Sequence, residues 1–165
     1  PGAELFAVKV FDRRLSASIE ALVAAIGWAA AHDADLINLS LGTANRDHTA
    51  ALRSAVVRAA AAGALVVAAG THDGVAYLPG SLDGVVRVEL DWSCLRLAVE
   101  VASGAGAGDT VCRASGYPRP VPGVPSERNL KGISFAVANV TGVLARELTG
   151  GSRPSYDEAI AALRR

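Results

Sequence analysis

No methionine occurs anywhere in this 165-residue chain, so Pro1 is not expected to be a translation start. Neither sign of charge is in excess. Sixteen Lys and Arg balance sixteen Asp and Glu, which removes the electrostatic case for nucleic acid or an anionic membrane as a partner. No apolar run reaches the roughly 18–20 residues that span a bilayer. No basic-then-apolar leader is visible either, so the expected location is cytoplasmic. Cysteine is limited to Cys94 and Cys112, which lack metal-ligand spacing; two thiols or one disulfide both fit. Lysine occurs only as Lys9 and Lys131, in a chain otherwise rich in alanine and arginine, a composition expected of a high-GC bacterial gene.

What is present is a globular composition. Hydrophobic residues are 51% and charged residues 19%, enough for one domain over residues 1–165 with a core of its own. "LFAVKVF" (5–11) has the short, apolar, β-branched character of a buried strand. "SASIEALVAAIGWAAAH" (16–32) places Ile19, Leu22, Val23, Ile26 and Ala30 at helical spacing. "DLINLSL" (35–41) is a second strand, and 47–63 a second helix, with Asp47 as candidate cap and Gly63 as stop. "ALVVAAG" (64–70) lacks alternation and so predicts a strand buried on both faces. This alternation of strand and helix predicts an α/β fold with a parallel sheet.

Shorter strands are expected over 84–90, 96–101 and 109–115, with a turn at "SGAGAG" (103–108). Four of the seven prolines fall in 116–129, which must be a loop because proline removes backbone donors. A helix follows from Ser134 to about Leu148, and a last helix opens with Ser155 and Glu158 at capping-box spacing. Arg87, Glu89, Asp91 and Trp92 form a mixed polar stretch expected at a solvated edge or interface.

"KGISFAVANVTGVLAREL" (131–148) poses the functional question, because a serine follows a glycine where a helix begins. Ser134 is either a helix cap or a nucleophile. Three stretches in order resemble the subtilisin-like serine proteases (the subtilases, peptidase family S8): "AVKVF…ALVAAIGWAAAHDADLINLSLG", "GALVVAAG" and "GISFAVANVTG". The resemblance covers almost the whole chain. It implies a three-layer α/β/α fold with a mainly parallel sheet, truncated at the N-terminus, so that the chain is a single partial domain.

The resemblance also implies roles. Ser134 takes the nucleophile position at a helix N-terminus, where free N–H groups and the helix dipole favour an oxyanion. Ser40, Leu41 and Gly42 match the edge that binds an extended peptide by strand addition. Ala68, Ala69 and Gly70 match the opposite wall, and Thr71 occupies the oxyanion position where the family usually has asparagine.

The departures shape the functional expectation. A serine needs a general base, and the base an orienting carboxylate. The family's Asp and His motifs precede the block matched by 5–11 and do not occur in this chain. Thr71 has a shorter donor than a carboxamide, and loss of such a donor typically costs ~10²–10³ in rate. Among His32, His48 and His72, only His72 is placed to serve as a substitute base; His32 is expected to close a helix and His48 to be solvated. The chain alone is therefore expected to be a pseudo-protease or peptide-binding module. The alternative is a peptidase fragment completed by upstream residues or a second chain.

In the family, the Asp-bearing strand lies between the strands matched by 5–11 and 35–41. Without it the first strand should close up, dock elsewhere or fray, or a strand of another chain should fill the gap. A homo-oligomer or complementing chain is thus an expected partner, besides a peptide segment at the sheet edge. Asp33 and Asp35 flank a turn without a dense oxygen-ligand cluster, so no obligatory metal and no cofactor are expected.

Overall fold

In a computed structural model of the chain, the described residues are 2–104, 109–148 and 153–165. Four helices, α1 (Ile19–Ala31), α2 (Thr49–Ala61), α3 (Ile133–Glu147) and α4 (Tyr156–Leu163), accompany a five-stranded sheet. The sheet strands are β1 (Leu36–Leu39), β2 (Leu65–Ala69), β5 (Val86–Leu90), β6 (Val99–Ser103) and β7 (Thr110–Ala114). A small hairpin of β3 (Thr71–His72) and β4 (Val75–Ala76) projects from the end of β2.

The sheet order is β1-β2-β5-β7-β6; all neighbours are parallel except the β6–β7 pair. Side-chain alternation divides the core into two layers. Leu65, Val67 and Ala69 of β2 face α3 and α4, together with Val86, Val88 and Cys112. Val66 and Ala68 face the opposite way, onto Leu22 and Ile26 of α1 and Leu52 and Val56 of α2. The fold is therefore α/β/α, and β2 is buried on both faces as its unbroken apolar run predicts.

Local signals explain most boundaries. Ser18 caps α1, accepting from the Ala21 N–H at 3.2 Å. His32 closes that helix as expected, its ring stacked on Trp28 with centroids 3.9 Å apart. Gly63 stops α2 in a left-handed turn at φ +84°. Ser155 and Glu158 form the complete capping box on α4. Asp47 is not the cap of α2. A 3₁₀ turn (Arg46–His48) precedes that helix and is capped by Asn45, which accepts from the Asp47 N–H at 3.0 Å.

The largest departure is the first expected strand. Residues 5–11 form no strand, and Leu5 is 92% exposed. Phe6 meets Trp28 edge-on with centroids 6.2 Å apart. β1 is thereby an outer strand of the sheet, and residues 5–11 are held by side-chain contact such as Phe6 on Trp28 in place of a ladder on its edge. The strand over 84–90 begins later, at Val86, and that over 96–101 is shifted to Val99–Ser103. The turn expected at 103–108 lies largely outside the described residues.

Candidate active site

The site is assembled where the C-terminal ends of β1 and β2 meet the N-terminus of α3. Leu39 pairs in register with Ala68, so Ser40–Gly42 and Ala69–Gly70 leave the sheet side by side. Thr43 and Leu78 exchange backbone hydrogen bonds, N–H to carbonyl, at 3.0 and 2.8 Å. These bonds lay Leu78–Gly80 between the two strand ends. The approach is close: a Cβ on Gly80 would stand 1.9 Å from the Ala69 carbonyl oxygen, and one on Gly42 2.8 Å from that of Leu78.

Gly132 turns the chain into α3 at φ +145°, ψ −177°, a conformation almost confined to glycine. The helix begins at Ile133, which makes Ser134 its second residue and excludes the cap role. The Ser134 hydroxyl donates to the Ser40 carbonyl at 3.3 Å, and the Ser40 hydroxyl donates to the Ser134 carbonyl at 3.0 Å. Asn38 donates from its amide to the Ser40 hydroxyl at 3.0 Å, and Thr141 donates to Asn38 Oδ1 at 3.0 Å. A polar ladder thus ties the outer strand to the exposed face of α3. Ser134 itself is exposed, and the amides of Ile133 and Ser134 donate to no protein acceptor among the described residues.

Thr71 and His72 are half-buried in the β3–β4 hairpin. His72 Nε2 lies 3.6 Å from an Asp73 carboxylate oxygen, while the Ser134 hydroxyl is directed to Ser40. The structure therefore joins Ser134 to Ser40 and Thr71 to His72, without a hydrogen bond between Ser134 and His72 among the described residues.

The contacts of three further groups, around Arg87, Asn139 and Cys94, were not expected from sequence. Arg87 covers Gly70, with its Cγ 2.1 Å from where a Cβ would stand. Its guanidinium donates to the carbonyls of Gly80 and Ser81 at 3.2 and 3.3 Å and pairs with Asp109. Asn139 of α3 donates to the Ser115 and Tyr117 carbonyls at 2.9 and 3.0 Å, fastening the start of the proline-rich loop. Asp91, Cys94 and Glu100 have ligand atoms all within 4.8 Å of one another and so form a group able to hold a metal ion. Burial first, then the charges of Asp91 and Glu100, raises the Cys94 thiol above its ordinary pKa. The Ser93 hydroxyl and N–H lower that of Asp91. Both cysteines are free, and Cys112 is buried in the sheet.

The model of the Subtilase family (peptidase S8) matches residues 1–90. Minor extracellular protease Epr of Bacillus subtilis (strain 168) is 35% identical over 115 residues, covering 67% of this chain and 17% of that protein. Alkaline elastase YaB of Bacillus sp. (strain YaB) is 31% identical over 158 residues, covering 94% of this chain and 40% of that one. Among solved structures, Prenylagaramide maturation protease PagA aligns with a TM-score of 0.64 at 26% identity, over 89% of this chain and 57% of that chain. A cold adapted subtilisin-like serine proteinase aligns with a TM-score of 0.62 at 20% identity, over 88% of this chain and 54% of its own, a likeness of fold. The chain thus spans well under two thirds of the length of these relatives.

Proposed function

Because this chain belongs to the Subtilase family, we propose that it is a subtilisin-like peptide-binding module whose serine, in the chain by itself, is not an activated nucleophile. The peptide would lie along Ser40–Gly42, across Ala68–Gly70, with a carbonyl at Thr71. The observation that carries the reading is the direction of the Ser134 hydroxyl. It donates its proton to the Ser40 carbonyl, an acceptor that cannot take the proton away, whereas nucleophilic attack needs a base at that position. His72 faces Asp73 rather than the serine.

The geometry also supports a second reading. Ser134 is exposed on the first turn of α3, beside two amide N–H groups that donate to no protein acceptor among the described residues. Such groups suit a developing oxyanion. If a histidine and its carboxylate come from residues outside this chain, rotation of the hydroxyl away from Ser40 would complete a serine peptidase. In that case attack by Oγ gives a tetrahedral intermediate, the base carries the proton to the leaving amine, and water releases the acyl group.

Labelling with a fluorophosphonate, read by intact mass, distinguishes the two. No adduct on the wild-type chain supports the binding-module reading. An adduct lost in Ser134→Ala overturns it and establishes an activated serine.

A further inference from the structure

Beyond Thr71, on the side of the site away from β1, the surface opens into a recess of about 500 Å³ lined by Thr71, His72, Asp73, Glu89, Leu90 and Trp92. These residues come from the β3–β4 hairpin and the end of β5. Glu89, Leu90 and Trp92 take no part in the peptide cleft, and the make-up of the recess is specific. Asp73 is raised on a tight turn, at φ +50° and followed by Gly74 at φ +75°. Glu89 is half-buried on β5, in register with Arg113 of β7, which is also opposite Glu100 of β6. One arginine thereby faces two carboxylates.

Trp92 is held in place by its surroundings. It packs at 5.1 Å against Tyr117. Gly116 lies so close beneath it that a Cβ there would stand 2.8 Å from the indole. The indole already attracts a cation at its rim, where Lys131 Nζ lies 6.0 Å from the centroids of both Trp92 and Tyr117 without lining the recess. Two carboxylates beside a fixed, partly exposed indole suit a planar cation, which can stack on the ring while donating to carboxylate oxygens.

We propose that this recess binds a guanidinium side chain. A peptide lying along Ser40–Gly42 with its carbonyl at Thr71 would bring there a residue from beyond that carbonyl, so the direction of crossing rests on the cleft reading above. The chemistry of the recess does not. The selectivity would then be for arginine on the leaving-group side, set by Glu89, Asp73 and Trp92.

The test uses the whole chain carrying Trp28→Phe, which leaves Trp92 as the fluorescent reporter. The probes are N-acetyl-arginine amide and N-acetyl-citrulline amide, which match in shape and differ in charge. A saturable change in Trp92 emission with the arginine probe, at least fivefold tighter than with citrulline, is expected. Adding Glu89→Gln and Asp73→Asn should erase that difference; asparagine tolerates the left-handed conformation at 73. Equal response to both probes, no saturable response, or a preference that survives the double substitution would overturn the proposal. A hexapeptide, acetyl-Ala-Ala-Pro-Leu-Arg-Ala amide, separates the two readings. If it binds no tighter than the arginine probe, the recess stands and the cleft reading fails.

Discussion

Ser40 and Ser134, 94 positions apart, hold each other reciprocally: each hydroxyl donates to the other residue's carbonyl, at 3.0 and 3.3 Å. Each bond alone should contribute about 0.5–1.5 kcal/mol. Ser40→Ala and Ser134→Ala are therefore each expected to lower stability within that range. Because they share one interface, the double variant should lose less than or more than the simple sum, and chemical denaturation of the four proteins measures the coupling. Strict additivity would show that the two bonds are independent of one another.

Gly132 adopts φ +145° at the entry to α3, with no heavy atom within 4 Å of where a Cβ would stand. Space is therefore not the constraint; the backbone is. Gly132→Ala should cost about 1–3 kcal/mol and displace Ser134. Urea titration gives the first quantity, and loss of protection of the α3 amides in hydrogen exchange reports the second.

Arg87 is the internal strut of the site, since its guanidinium joins Asp109 on one side and two loop carbonyls on the other. Its side chain is only 16% exposed. Arg87→Met preserves length and removes the charge, leaving the Asp109 carboxylate without its partner. A loss of about 2–3 kcal/mol is expected, with the midpoint of thermal unfolding as the measure. Arg87→Lys should recover only part of it, because a single ammonium cannot reach three acceptors in a fixed fork.

Burial pushes the Cys112 thiol up to about 12 from its ordinary 9.0. The folded state therefore keeps the proton that the unfolded chain gives up. Stability from this group is complete below pH 9.0 and is lost as pH rises from there towards about 12. Cys112→Val should flatten that alkaline limb. Iodoacetamide at pH 8 should modify Cys94 well before Cys112 in the native protein and both at similar rates in urea, as peptide mass analysis would show.

Glu158 shows the opposite sign. Hydrogen bonds from the Ser155 backbone and hydroxyl hold its carboxyl below the ordinary 4.5. The capping box is thus intact above pH 4.5 and weakens as pH falls through the lowered value. Ser155→Ala should cost about 0.5–2 kcal/mol and reduce the acid dependence of α4, read as ellipticity between pH 2 and 6.

Much of this architecture is legible in the residues themselves, and the exceptions share one cause. The apolar run 64–70 and the stop and cap signals at Gly63 and Ser155 are local, and each lies where its pattern places it. The resemblance assigned Ser40 to a peptide-binding edge and Ser134 to the nucleophile position; their mutual hydrogen bonds were not among the expectations, because they join positions 94 apart. Residues 5–11 show the limit of such reading. Their pattern reports a preference for burial, not the presence of a strand to bury against. Arg87 and Trp92 were visible as part of a mixed polar stretch. Their roles depend on Gly70, Gly116 and Asp109, which only the order of strands brings near.

The position of α3 carries a consequence for folding. It packs on β1, β2, β5 and β7, and so spans nearly the width of the parallel sheet. Its serine meets Ser40 only after a loop of more than ninety residues has closed. Closure of that size is costly until long-range contacts reward it. The serine's surroundings therefore depend on long-range contacts, and no peptide excised around residue 134 should reproduce them. The site exists only as a property of the finished sheet.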